Sequence, residues 1–176
     1  VSQTPVVICN AGPAIALGKL NRLGLLADLY TEVLLPEPVY REVVIQGALR
    51  GEPDARLIRL FWQRMGWPVV PVEAELLNQI TPSLILGAGE CAVLALSTQY
   101  QPVEVLLDDA AARTEARRMG VQMRGTLGLL VQAYRQQIIT RLEIEILFQE
   151  ISDRPDIWIS AYLCRTVLAG LGSSGR

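Results

Sequence analysis

Asp108 and Asp109 directly follow an apolar run formed by Val103, Val105, Leu106 and Leu107. Open α/β sheets carry their chemistry just past the carboxyl ends of buried strands, and this pair has that address. Three more polar residues have comparable addresses. Asn10 ends the apolar run from Val6 to Cys9. Glu90 opens the helical segment after Gly87-Ala88-Gly89. Glu42 lies near the start of the helix that follows a second strand. Each has a plainer explanation. Asp is a favoured helix N-cap, an acid in a first turn suits the helix dipole, and Asn readily forms an Asx-turn. One aspartate of the pair can cap while its neighbour faces a site. If the strands ending at Asn10 and Asp108 are neighbours, all five residues meet at one edge of the sheet.

Clustered carboxylates repel one another unless a proton or a cation intervenes. A Mg²⁺ or Mn²⁺ ion would relieve that repulsion, activate water and hold a phosphodiester oxygen. Other chemistries have little support. The chain contains no histidine, which excludes a Ser-His-Asp triad, a His-Cys pair and histidine metal sites. It has no P-loop, G-x-G-x-x-G fingerprint, G-x-S-x-G elbow, zinc spacing or EF-hand loop. Cys9, Cys91 and Cys164 are far apart in apolar surroundings, the pattern of small core residues rather than of a disulfide framework. Reduced cysteines point to a cytoplasmic location.

Net charge is −2, so the chain as a whole has no strong pull on nucleic acid. Lys19 is the only lysine, and arginine supplies the other cations. Arg113, Arg117, Arg118 and Arg124 are candidates for phosphate contacts, though a solvated helix face or a biased genome composition explains them equally well. No apolar run approaches the roughly 18 residues of a membrane span, and no signal peptide is visible.

The elements that must position these residues alternate. Strands are expected at 6–9, 32–35, 68–72, 103–107 and 121–123, the third at an edge because Pro68 and Pro71 flank its core. Helices are expected after Asn10, around Val39 to Val44, after Pro53, over 73–80 until Thr81-Pro82, and over 89–100, 110–119, 126–137, 141–151 and 157–168. That alternation predicts one α/β domain over 1–170 with a helical C-terminal portion, and a flexible tail over 171–176.

Five segments carry a family resemblance: VVICNAGPAIALGKL at 6–20, EVLLPEPVYREV at 32–43, LGAGECAVLAL at 86–96, LLDDAAARTEARRMGVQMRGTLGLL at 106–130 and, more loosely, ISDRP at 151–155. In this order they resemble PIN-domain proteins, in particular a PIN-like subgroup of short stand-alone prokaryotic proteins. The resemblance implies a three-layer domain with a central, mostly parallel sheet flanked by helices. It implies a Mg²⁺- or Mn²⁺-dependent endoribonuclease, the toxin of a toxin–antitoxin pair, with RNA as substrate, an antitoxin protein and a second copy of the chain as partners, and no membrane. It assigns Glu42, Glu90 and one of Asp108 and Asp109 as catalytic acids, and Asn10, Glu90 and the same aspartates as metal ligands. Arg113 and Thr126 fall within the subgroup's motif. Asn10 stands where most PIN domains have Asp, and Gly12 where the subgroup usually has Ser. The alternative implied by those departures is a catalytically degenerate PIN fold that binds RNA or protein.

Overall fold

In the computed structural model, residues 4–80, 86–100 and 103–173 are described. Five parallel strands form one sheet in the order β3-β2-β1-β4-β5, with β1 Thr4–Cys9, β2 Tyr30–Pro36, β3 Val69–Val70, β4 Glu104–Leu106 and β5 Gln122–Arg124. The sheet is thus parallel throughout, and the proline-flanked β3 is indeed at its edge. Strands covered on both faces should read as continuous apolar runs. Val7, Ile8 and Cys9 of β1 and Val105 and Leu106 of β4 have no exposed surface.

The chain leaves β1 towards β2 on one side, while β4 and β5 lie on the other. The switch point of the sheet therefore falls between β1 and β4, where open α/β sheets bind their ligands. The β1–β4 register pairs Ile8 with Val105 and Cys9 with Leu106. One more hydrogen bond, from the Asn10 N–H to the Leu106 carbonyl at 3.1 Å, extends the pairing past the strand end. That bond sets Asn10 beside the turn that carries Asp108.

Helices α1 Ala11–Lys19 and α2 Gly24–Leu29 link β1 to β2, broken where Asn21 adopts φ 53°. Between β2 and β3 one rod of residues 37–49 is α-helical over α3 Glu37–Tyr40, π-helical over Arg41–Gln46 and α-helical again over α4 Gly47–Leu49. Glu42 sits in the π-helical part, in the second turn of the rod rather than near its start. Single π turns interrupting α-helices are frequent at functional sites. The rod lies close against α5 Pro53–Met65: a Cβ on Gly47 would come within 3.0 Å of the Ala55 Cβ. Pro53 opens α5 as expected, and Gly66 in the left-handed region closes it.

The expected helix over 73–80 shrinks to one turn, α6 Ala74–Leu77, and the break assigned to Thr81-Pro82 lies outside the described residues. Helix α7 Ala88–Ser97 packs on β1, β2 and β4. Then come α8 Ala110–Arg118, α9 Thr126–Arg135, α10 Arg141–Asp153 and α11 Ala161–Ser173. A capping box between Thr140 and Glu143 starts α10. The last helix begins four residues later than its apolar pattern suggests. Arg154 donates to the Lys19 carbonyl at 3.0 Å and Lys19 Nζ donates to Asp156 at 3.0 Å, which pins 154–156 to the end of α1. The Ser160 hydroxyl then accepts from the Leu163 N–H at 3.1 Å at the start of α11. The helix runs through Ser173, three residues into the stretch read as a tail, whose last residues, 174–176, lie outside the described residues. All three cysteines are free thiols. No described helix is long and apolar enough to cross a membrane.

Candidate functional site

A cleft of about 1160 Å³ opens at the carboxyl ends of β1 and β4. Asn10, Glu42, Glu90, Asp108 and Asp109, the five polar residues singled out from the sequence, all line it. Their roles within it differ.

Asn10 is 2% exposed. Its Nδ2 donates to Glu90 Oε1 at 3.1 Å, while its Oδ1 is buried with no hydrogen-bond partner. A buried amide oxygen left unpaired costs about 1–3 kcal/mol, so this atom calls for a donor or a cation. Gly89 explains how the group closes up. A Cβ at Gly89 would lie 3.2 Å from both Asn10 Oδ1 and Glu42 Oε2, so the amide oxygen and the Glu42 carboxylate flank the same point on α7. Any larger residue at that position would push them apart. Burial, and then the nearby Glu90 carboxylate, raise the pKa of Glu42 above the ordinary carboxylate range; Arg50 opposes the shift.

The two aspartates divide their work. Asp109 is the N-cap of α8, accepting from the Ala112 N–H at 2.8 Å. Asp108 turns towards α9 and accepts twice from Thr126, from its N–H at 2.7 Å and from its hydroxyl at 2.6 Å. Burial raises the Asp108 pKa, with the two Thr126 bonds and the Arg113 charge acting against it. Gly125 makes this approach possible, because a Cβ there would fall 2.9 Å from Asp108 Oδ1. Gly12 leaves room on the other side: its Cβ would meet Asp108 Oδ2 at 3.4 Å.

Several polar residues of the 113–126 motif have partners within the fold. Thr126 has no exposed surface. Arg113 donates to the Leu107 carbonyl at 3.0 Å, Arg124 pairs with Glu104 at 2.8 Å, and Arg118 pairs with Glu115. None of these three arginines lines the cleft, nor does Arg117; its cations are Lys19, Arg41 and Arg50. Sequence reasoning missed these three. Arg41 and Arg50 are carried by the Glu42 rod and its end, so helical phase relative to Glu42 was the only available signal. Lys19 had no such signal, because its partners Glu52, Asp54 and Asp156 come from distant segments.

The donor set is hard oxygen: an orphaned amide oxygen, Glu42 and Glu90, with Asp108 in the same cleft. Mg²⁺ and Mn²⁺ suit such donors, and Mg²⁺ commonly takes one or two carboxylates and keeps several waters. Among the described residues no three Cys, Asp or Glu side chains gather closely enough to hold a metal by themselves. Any ion held here would need a donor beyond those carboxylates, and the unpaired Asn10 amide oxygen is one.

Among solved structures, the chain is similar to VapBC2 from Rickettsia felis bound to a DNA fragment from its promoter. Identity is 11%, the match covers 68% of this chain and 98% of that one, and the TM-score is 0.47. No curated protein gives a significant match. A family model described as PIN domain matches residues 6–173, nearly the whole sequence and every element of the cleft. The chain belongs to the PIN-domain family.

Proposed function

We propose that this protein is a metal-dependent endoribonuclease and the toxin of a toxin–antitoxin pair. Family membership supports the nuclease class and, with the segments quoted above, the toxin reading. The observation that carries the chemistry is the buried, unpartnered Asn10 Oδ1 facing the same point as Glu42, with Glu90 tied to the same amide. In this reading Asn10, Glu42 and Glu90 hold a Mg²⁺ or Mn²⁺ ion. Bound there, the ion supplies an activated water and a Lewis acid for phosphodiester hydrolysis. The Asn10 amide group orients Glu90, and a cation bound there would offset the repulsion between Glu42 and Glu90. Asp108, held rigid by Thr126, is the strand-end acid; Asp109 is committed to capping α8.

The test is cleavage of a single-stranded RNA oligonucleotide. Cleavage with Mg²⁺ or Mn²⁺ that EDTA abolishes and added metal restores is the expected result. Cleavage insensitive to EDTA would remove the metal from the account.

One observation favours a second reading, a degenerate PIN fold that binds RNA or protein. The neutral Asn10 side chain already satisfies one Glu90 oxygen, and the carboxylates do not form a metal shell without it. RNA binding without cleavage under any divalent cation would select that reading.

Asn10→Asp separates the two further. The change removes the donor 3.1 Å from Glu90 Oε1 and sets two carboxylates at that spacing. Without metal, the variant is expected to melt at a lower temperature than the wild type. With Mg²⁺ or Mn²⁺ it is expected to bind about tenfold more tightly by calorimetry, a gain of about 1.4 kcal/mol from one added charge after desolvation. Unchanged affinity in a folded variant would place Asn10 away from any metal.

A further inference from the structure

Trp158 is 94% exposed, the most exposed of the large apolar side chains described, and it lines the same cleft as Glu42, Glu90 and Asp108. Isolated apolar residues on a surface need no explanation. An indole at the wall of a polar cleft, mounted on a fastened segment, does.

The fastening is specific. Lys19 has only 10% of its side chain exposed and pairs with Asp156 at 3.0 Å, and with Glu52 and Asp54 at 3.5 Å. Arg154 reaches the Lys19 carbonyl and pairs with Asp156 at 2.8 Å. Directly after this hub, Ile157 is buried and Ile159 packs against the core. Trp158 thus projects between two anchored isoleucines. Holding an exposed indole on a rigid mount reduces the entropy cost of using it as a contact surface.

Charge decides what that surface suits. Acidic side chains lining the cleft outnumber basic ones by more than two to one. Such a wall repels phosphates, so the contact it can offer a strand is the ring, on which any base can stack. Resting on the ribonuclease reading, we propose that Trp158 is a stacking platform for one unpaired base of a single-stranded RNA whose backbone runs past Glu42 and Glu90. Arg50 lines the cleft and is a cation for the phosphates, whereas Arg41, also at the cleft, pairs with Glu37 at 3.0 Å.

The test uses the full chain with Ca²⁺ in place of Mg²⁺ and a short single-stranded RNA of eight nucleotides. Trp158→Ala is expected to lower affinity about tenfold or more, the scale of one stacked base, and Trp158→Phe to keep most of it. An abasic strand of the same length should bind both wild type and Trp158→Ala weakly and equally. Trp62 and Trp67 are buried, so RNA should also quench the red edge of the tryptophan emission, and Trp158→Phe should abolish that change. Trp158→Ala that binds RNA as the wild type does would overturn the platform and leave the ribonuclease reading intact. Failure of the wild type to bind or cleave RNA would instead overturn that reading and the platform with it. A variant with normal RNA affinity that has lost self-association by light scattering would assign the ring to a protein contact, and also overturn the proposal.

Discussion

Glu90→Gln is expected to abolish metal-dependent RNA cleavage while leaving the fold intact. The Gln side chain has the same shape, and its amide oxygen can still accept from Asn10 Nδ2, so the hydrogen bond at 3.1 Å has a successor. What disappears is the negative charge in the first turn of α7. Groups outside a metal's own ligand shell typically carry 10- to 100-fold effects, so loss of a direct ligand should exceed about a hundredfold. Glu73→Gln is the control. Glu73 is exposed, precedes α6 and does not line the cleft, so its rate should match the wild type. Single-turnover cleavage rates and far-UV circular dichroism of both variants make the comparison. A folded Glu90→Gln protein with normal rates would remove Glu90 from the site.

The second large effect is on stability. Thr126→Val should lower the melting temperature by about 3–12 °C. The Thr126 hydroxyl lies 2.6 Å from Asp108 Oδ2, and Thr126 itself is fully buried. Valine keeps the branched shape but sets a methyl group where a carboxylate oxygen needs a donor. Hydrogen bonds to charged groups contribute about 1.5–3 kcal/mol, and about 1 kcal/mol shifts the melting temperature of a domain this size by about 2–4 °C. The deficit should depend on pH. Burial already raises the Asp108 pKa, and losing a Thr126 bond raises it further. A carboxylate whose folded pKa exceeds its unfolded value disfavours the folded state once it ionises, so stability falls as pH rises through the folded value. The difference between variant and wild type should thus be widest at neutral pH and narrow as pH falls into the carboxylate range. A pH-independent deficit would mean that the lost packing of Thr126, not the charge on Asp108, dominates.

Much of this was legible in the sequence because it is local. The run from Val6 to Cys9 and the run before Asp108 are continuous apolar segments, so both read as buried parallel strands. Their pairing then follows from the sheet order, and it brings Asn10 and Asp108 together. Glu90 stood out as the acid opening an apolar helix. The division of work between Asp108 and Asp109 was not legible. It depends on the two bonds that Thr126 donates across 18 residues, against one local cap. The start of α11 was misplaced for a related reason. The pattern from Ile157 onward suits a helix, but the Lys19–Asp156 pair joins residues 137 apart and holds the chain out of helical form. What the arginines of 113–124 pair with was not legible, because sequence shows charge but not partners. In the structure Arg113 serves Leu107, Arg118 pairs with Glu115, and Arg124 pairs with Glu104 beside Tyr30. Glu42 lines the cleft but sits in the second turn of its rod rather than near the start, since nothing in REVVIQ announces a π-helical segment.

We propose that Asn10, Glu42 and Glu90 together form one cation site. The most direct measurement is the anomalous difference map of a crystal grown with Mn²⁺. A peak within coordinating distance of Asn10 Oδ1 and of a Glu42 or Glu90 carboxylate oxygen is the predicted result. A well-ordered cleft with no Mn²⁺ peak at millimolar metal, or a peak elsewhere in the cleft, would contradict it.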